Sequence, residues 1–322
     1  MNHLVLTGTG LLVSKLCLGT YMFGGQTDEK EAHAILDYAF AQDINFFDTA
    51  NTYNQGESEW IVGKWLKNRR EQIVLATKVG NPMGKNPLDT GLTRRNIQMA
   101  CEKSLSRLGV DCIDLYYLHK PDYNTPLEET MQAMDQLVRE GKIRYIGMSN
   151  FASWQIADAI AICEKHGWVP PVVTQNVYNL LTRDVETELI PFINHHNIGL
   201  TVYNPIAGGL LTGKHQPGVP APNTRFAFNK RYYDRYWTEL NFAMVEKFSA
   251  IAKANDMTVL ELSLLWCAYR PGVTSVIAGV SKLAQVEQNI RYLEKPALSP
   301  DIVEQCSNLW LELTGNRFSY VR

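Results

Sequence analysis

Short apolar runs and longer amphipathic segments alternate along almost the whole chain. The apolar runs predict buried strands, and the segments after them have the 3.6-residue period of helices. The predicted strands lie near residues 15–20, 45–50, 72–78, 113–119, 143–149, 172–176, 199–204 and 273–279. The predicted helices lie near residues 28–42, 57–68, 93–108, 126–140, 152–166, 184–196, 258–270 and 282–293. This alternation predicts an α/β protein, with one closed (β/α)8 TIM barrel and residues 1–322 as a single domain.

Four segments depart from the simple alternation. Residues 4–12 predict an N-terminal hairpin, and a long loop, 205–238, follows the seventh predicted strand. Two extra amphipathic helices are expected at 239–255 and 300–314. The long loop contains many aromatic residues among its basic ones. It is too aromatic for a disordered segment, which indicates a functional loop.

Residue choice also predicts helix ends. Thr125, Pro126 and Glu128 have the spacing of a capping box, which predicts a helix start with Thr125 as the N-cap. Gly109 and Gly141 follow helical runs where a left-handed C-terminal cap is needed.

Composition excludes several classes of protein. The 31 basic and 33 acidic residues give a net charge of -2, without the basic excess that nucleic-acid-binding proteins normally show. No apolar run approaches a membrane span, and no secretory signal pattern precedes the first strand. The six scattered cysteines contain no Cys-x-x-Cys pair, so we expect neither a metal site nor a disulfide framework. We therefore expect a cytoplasmic protein with a small-molecule partner, and the oligomeric state stays open.

Polar residues follow three neighbouring predicted strands. Asp48, Lys78 and His119 each lie at or just past a strand end, and Tyr53 comes five residues after Asp48. The carboxyl ends of parallel strands meet at one rim, where catalytic groups gather. Each residue alone could be an ordinary strand-end group, but four at successive strands indicate an active site.

These four residue types suit the reduction of a carbonyl. A tyrosine can donate a proton to the developing alkoxide, and we expect the ammonium of Lys78 to lower the pKa of Tyr53. A buried ammonium needs a counter-charge, which Asp48 would supply. His119, neutral or charged, would hold the carbonyl oxygen.

The chain resembles the aldo-keto reductases, in the branch that includes bacterial sugar and aryl aldehyde reductases and potassium-channel β subunits. The resemblance is carried by Asp48-Thr49-Ala50-Asn51-Thr52-Tyr53 and by the motifs at 56–63, 143–151, 175–179 and 203–205. It extends to Asn289 and so covers nearly the whole predicted barrel. It implies that Asp48, Tyr53, Lys78 and His119 form the catalytic tetrad of a carbonyl reductase.

The resemblance also implies NADP(H) binding across the barrel mouth, with NAD(H) as the less favoured cofactor. Ser149, Asn150 and Gln175 match groups that bind the carboxamide, and Tyr203 matches the aromatic that stacks on the nicotinamide. The other matching positions are Asn204, Pro205, Ile206, Gly208, Leu210, Lys214, Arg225, Gly279, Ser281, Gln285, Gln288 and Asn289.

The adenosine end departs from the family pattern at Gln288, where glutamate is usual. An amide oxygen can still accept a hydrogen bond from the adenine amine, so binding is expected to survive. Lys214, Arg225 or Lys282 could pair with a 2′-phosphate, which favours NADPH.

Substrate contacts are expected from loops around the reacting carbon. The candidates are Tyr21, Met22, Phe23, Lys120, Tyr123, Phe226, Trp237, Asn316 and Arg317. A mixed aromatic and cationic lining suits a sugar, an acidic or phosphorylated aldehyde, or an aromatic aldehyde. Two alternatives remain: a Schiff-base lyase that uses Lys78, and a regulatory subunit that senses its cofactor.

Overall fold

Buried apolar strands pair in parallel to form a closed barrel. The computed structural model describes residues 1–222 and 224–314. The barrel strands are β3 Leu16–Gly19, β4 Phe46–Asp48, β5 Val74–Val79, β6 Ile113–Leu118, β7 Ile143–Ser149, β8 Val173–Val177, β9 Gly199–Tyr203 and β10 Val273–Gly279. Since β10 pairs with both β9 and β3, the sheet has no free edge. The predicted (β/α)8 barrel is confirmed.

Eight helices surround the barrel and cover its apolar outer face. They are α1 Glu29–Ala41, α2 Glu57–Leu66, α3 Arg94–Leu108, α4 Leu127–Arg139, α5 Ser153–His166, α6 Leu189–His196, α10 Val259–Ala268 and α11 Leu283–Leu293. The two predicted extra helices are present as α9 Glu239–Ala254 and α12 Pro300–Thr314. No helix among residues 1–222 and 224–314 combines the length and apolarity that a membrane span requires.

The predicted hairpin closes the amino-terminal end of the barrel. Strands β1 His3–Val5 and β2 Leu12–Ser14 pair antiparallel and lie against the floor. Leu6 is fully buried and packs with the side chains that fill the barrel interior. A Cβ atom at Gly8, where φ is +79°, would lie 2.8 Å from the Asn197 carbonyl oxygen, so glycine fits both the turn and the close approach. A second apolar layer lies between strands and helices.

Two local predictions were wrong. The helix expected at 184–196 is interrupted, with a 3-10 turn at Asp184–Glu186 followed by α6. Pro191 explains this break, because proline has no N–H and its ring clashes with the carbonyl four residues earlier. Thr125 does not cap α4, since its hydroxyl donates to the Asp122 carboxylate at 2.8 Å.

The predicted glycine caps agree with the structure: φ is +63° at Gly109 and +71° at Gly141. The long loop contains elements that the hydrophobic pattern did not predict. These are a 3-10 turn at Ala207–Thr212 and two short helices, α7 Arg225–Phe228 and α8 Lys230–Tyr236.

Candidate active site

Three consecutive strands carry polar side chains to one rim of the barrel. Asp48 is the last residue of β4, Lys78 lies one residue before the end of β5, and His119 follows β6 directly. Because β4, β5 and β6 pair in parallel in that order, the three side chains meet at the carboxyl end.

Tyr53 is placed by a strained turn that is hydrogen-bonded to the loop after β3. Asn54 and Gln55, directly after it, have φ of +47° and +56°, a region that side chains other than glycine occupy only at a cost. The Asn54 amide donates to the carbonyl oxygens of Tyr21 and Phe23 at 2.9 and 2.7 Å. These bonds hold the turn and fix the direction of the phenol.

Lys78 forms the centre of a buried polar cluster. Its side chain is 0% exposed, and its Nζ donates to Asp48 Oδ1 at 2.5 Å and to the Thr49 carbonyl oxygen at 2.7 Å. The same Nζ lies 3.3 Å from the Tyr53 hydroxyl oxygen. One ammonium therefore connects the buried carboxylate to the phenol.

The other oxygen of Asp48 is held from the opposite side. Gln175 Nε2 donates to Asp48 Oδ2 at 2.9 Å, and Ser149 Oγ donates to the Gln175 carbonyl oxygen at 2.9 Å. Tyr203 donates to Asn150 Oδ1 at 2.7 Å. Each carboxylate oxygen of Asp48 thus accepts a hydrogen bond from a buried side-chain donor.

Burial controls the protonation of the two groups nearest the expected carbonyl. Burial, with a smaller contribution from Asp48, raises the pKa of Tyr53 well above its ordinary value. The expectation of a lowered pKa was wrong, because desolvation of the phenolate outweighs the positive charges nearby. Burial and the charges of Lys78 and Lys120 lower the pKa of His119 to about 3. At neutral pH, Tyr53 is therefore a protonated donor and His119 is neutral.

A long cavity opens directly above this cluster. Its volume is about 1100 Å3, and Asp48, Tyr53 and His119 lie at its base. His119 Nδ1 has no hydrogen-bond partner among the described residues. The geometry combines a protonated phenol, a neutral imidazole and a neighbouring ammonium, a set that can supply a proton to an oxygen at this point.

The sequence comparison assigns the family. Residues 15–311 match the sequence profile described as the Aldo/keto reductase family. The chain belongs to this family.

Several aldo/keto reductase relatives align with nearly the whole chain. A probable voltage-gated potassium channel subunit beta from Arabidopsis thaliana is 36% identical over 315 residues, covering 95% of each protein. The uncharacterized oxidoreductase YrpG from Bacillus subtilis (strain 168) is 39% identical over 306 residues, covering 91% of each. Aflatoxin B1 aldehyde reductase member 2 from Rattus norvegicus is 35% identical over 311 residues, covering 91% of this chain and 83% of the rat protein. These names support an oxidoreductase.

Most residues that the aldo/keto reductase resemblance implied for the cofactor lie along the cavity. The residues that line it are Ser149, Asn150, Gln175, Tyr203, Asn204, Pro205, Ile206, Gly208, Lys214, Arg225, Gly279, Ser281, Gln285, Gln288 and Asn289. Leu210 differs, because its side chain is 1% exposed and packs in the outer apolar core.

Only some of the predicted substrate-contacting residues line the cavity. Tyr21, Met22 and Lys120 line the cavity, whereas Phe23 and Phe226 are buried in the outer core and do not. Tyr123 is 82% exposed and also lies away from the cavity.

Trp237 is absent from the cavity lining as well. Its indole donates to the Gly218 carbonyl oxygen at 2.7 Å, so it braces the loop. The candidates Asn316 and Arg317 lie outside the described residues.

Several cavity residues were missed by the sequence reasoning. The long loop contributes Tyr232, Arg231 and Arg235, and Asn81 follows β5. Their basic and aromatic character was visible in the sequence, but the short helix α8 that orients them has no clear hydrophobic period.

Arg225 lies across the cavity mouth in the aldo/keto reductase barrel. Its guanidinium is 5.3 Å from the Tyr21 ring centroid and 4.9 Å from that of Tyr232. Its Nη2 is 3.2 Å from Met22 Sδ. These contacts connect the long loop to the loop after β3, and they leave the guanidinium close to any anion in the groove below.

Proposed function

We propose that the chain, acting as one domain over residues 1–322, is an NADPH-dependent reductase of an aldehyde or ketone. Sugar, acidic and aromatic carbonyl compounds are the candidate substrates. The observation that carries the proposal is the continuous contact from Asp48 through Lys78 to the protonated Tyr53 at the base of a cavity. The family assignment and the reductase names of the relatives support the same reaction class.

In the proposed mechanism, Tyr53 donates its proton to the carbonyl oxygen. Reduced nicotinamide, when bound, would supply the hydride to the carbonyl carbon. Lys78 stabilises the phenolate that forms, because its Nζ is 3.3 Å from the hydroxyl oxygen. Asp48, 2.5 Å from this Nζ, provides the counter-charge of the buried ammonium. Neutral His119 hydrogen bonds to the substrate oxygen and orients it toward Tyr53.

The cavity residues fit a dinucleotide. One end holds the polar groups of Ser149, Asn150 and Gln175, and the other holds Ser281 and Gln285 at the start of α11. A cavity of about 1100 Å3 has room for an elongated cofactor and a small substrate.

Basic residues along the cavity favour NADPH in this proposal. Lys214 and Arg225 border the groove, and neither forms an ion pair with another described residue. A 2′-phosphate, which NADPH carries and NADH lacks, would provide an anionic partner for these cations. This contribution is the basis for proposing NADPH in preference to NADH.

The environment of Lys78 argues against a Schiff-base lyase. A lyase lysine must be accessible and neutral when it attacks a carbonyl carbon. Lys78 is fully buried and engaged by a carboxylate and a carbonyl oxygen. Trapping with borohydride should therefore leave Lys78 unmodified.

The decisive experiment is the Tyr53→Phe variant. We expect turnover of an aldehyde with NADPH to fall by about a thousandfold or more, while the NADPH dissociation constant stays within about twofold, because only the proton donor is lost. Tyr123→Phe is the matched control, since that phenol is exposed and away from the cavity. Turnover by Tyr53→Phe close to wild type would contradict the assignment.

Absence of turnover in the wild-type protein would favour the regulatory alternative. That role would fit the plant relatives whose names describe channel subunits. Measuring cofactor binding alongside turnover separates a cofactor-binding regulator from an inactive preparation.

A further inference from the structure

Positive charge dominates the lining of the large cavity. Among the described residues, the cations that line it are Lys120, Lys214, Arg225, Arg231 and Arg235, and the single acidic residue is Asp48. Since Asp48 already pairs with Lys78, the lining carries uncompensated positive charge. The cofactor phosphates of the proposed function account for part of this excess. Arg231 and Arg235 are not among the residues that the family resemblance implies for the cofactor, so their charge needs another partner.

The short helix α8 separates its charges between two faces. Lys230 pairs with Asp234 at 2.7 Å on one face and is 85% exposed. Arg231 and Arg235, four residues apart on another face, both border the cavity, and neither forms an ion pair with a described residue. Like charges at this spacing repel and destabilise a helix. An anion held between the two guanidinium groups would remove that cost.

Helix α8 is fixed against the strand end that carries the expected nicotinamide contacts. The Tyr236 hydroxyl accepts from Asn204 Nδ2 at 2.8 Å, directly after β9. At Gly208, where φ is +71°, a Cβ atom would lie 2.7 Å from the Tyr232 ring. The helix is therefore packed against both the strand end and the following turn.

The face with the two arginines is close to the proposed reacting groups. Tyr232, between them in sequence, lies near enough to Tyr53 to affect its electrostatics. Arg235 opposes the effect of burial, which raises the pKa of Tyr203 to about 12. The side chains of both arginines are exposed, and Arg235 lies near enough to Tyr203 for its charge to act on that phenol.

From this geometry we propose that Arg231 and Arg235 bind an anionic substituent of the carbonyl substrate, a carboxylate or a phosphate. The inference rests on the proposed function and selects the acidic class among its candidate substrates. Guanidinium groups suit both anions, because their planar donors match two oxygens of either. A substrate anchored at α8 would direct its carbonyl toward Tyr53 and His119.

The test compares matched pairs of aromatic aldehydes with NADPH. One pair is 4-carboxybenzaldehyde and methyl 4-formylbenzoate, and the other is 4-formylphenyl phosphate and 4-methoxybenzaldehyde. For each pair, kcat/KM for the charged compound is divided by that for the neutral compound. The ratio is then compared between proteins, so that intrinsic reactivity cancels. The variants are Arg231→Gln, Arg235→Gln and the double variant.

Lys230→Gln is the matched control, because it removes one positive charge from the outer face of the same helix. We expect each arginine variant to lower the charged-to-neutral ratio by about tenfold for the anion that the site prefers. The loss should appear mainly in KM, and the wild-type ratio should fall as salt is added. Lys230→Gln should change the ratio less than twofold. The pair with the larger response identifies carboxylate or phosphate.

An unchanged ratio in the double variant would overturn the inference, whether or not both rates fall together. Failure of the wild-type protein to reduce these four compounds, and sugar aldehydes tested beside them, would instead count against the proposed function. In that case, calorimetric titration with benzoate and phenyl phosphate in the presence of NADPH decides the anion site separately. Equal affinity for wild type and the double variant would contradict the inference, and weaker binding by the variant would support it.

Discussion

Replacing Asp48 with asparagine should expose how strongly the buried ion pair depends on its acid. Lys78 and Asp48 are 0% and 2% exposed, so the buried ammonium would be left without a counter-charge. Removing one partner of a buried pair costs about 3–5 kcal/mol. The ammonium could instead release its proton, but neutralising an ordinary lysine at pH 7 costs about 4.6 kcal/mol. The cost of keeping an unpaired buried ammonium and the cost of deprotonating it are therefore similar. We expect the free energy of unfolding to fall by about 3–5 kcal/mol.

Urea denaturation followed by tryptophan fluorescence would measure this loss, provided that the m-value is unchanged. If the ammonium of the folded variant releases its proton, the unfolded chain binds more protons than the folded one. The stability of Asp48→Asn should then rise with pH between about 7 and 10. The Asp48→Asn, Lys78→Met double variant removes the stranded charge and should recover about 2 kcal/mol or more. A single-variant loss below about 1 kcal/mol, or a double variant as unstable as the two singles added, would refute this reasoning.

Three further outcomes are expected. Burial lowers the pKa of His119 to about 3, so below about pH 6.5 the unfolded state binds more protons than the folded state. In urea titrations, the wild-type protein should therefore lose stability from pH 6.5 to 4.5, and His119→Gln should lose less over the same range. Gly147→Ala should destabilise the fold by about 2 kcal/mol or more, since its Cβ would lie 2.3 Å from the Tyr117 ring, whereas Gly10→Ala should be near neutral. Measured dissociation constants should show a moderate NADPH preference over NADH that shrinks with salt and in Arg225→Ala; equal affinities at low salt would contradict it.

The sequence predicted the barrel and the four rim residues because both follow from local patterns. A buried apolar run ends at a strand terminus, and Asp48, Lys78 and His119 mark three such ends. The pKa of Tyr53 could not be predicted in the same way: the neighbouring ammonium of Lys78 suggested a lowered value, whereas burial in the folded barrel raises it. Desolvation depends on the whole surrounding structure, which spacing alone does not report.

In the long loop, the sequence likewise did not predict which side chains line the cavity and which are buried in the core. Phe226 and Tyr232 are both aromatic residues in a polar segment, yet Phe226 packs in the core and Tyr232 lines the cavity. Trp237 is turned away because its indole binds the Gly218 carbonyl oxygen. Such choices depend on contacts between distant segments, which no periodicity in the loop encodes.

The hairpin that closes the barrel floor leaves the barrel with one open end, which holds the candidate active site, and one closed end. Leu6 and the interior side chains fill the barrel, so small molecules must come and go through the mouth alone. Gly10 of the hairpin turn is exposed at the closed end of the barrel. A linker attached there would tether the protein to a solid support with the cavity mouth facing solution. Small molecules could then still enter and leave the cavity.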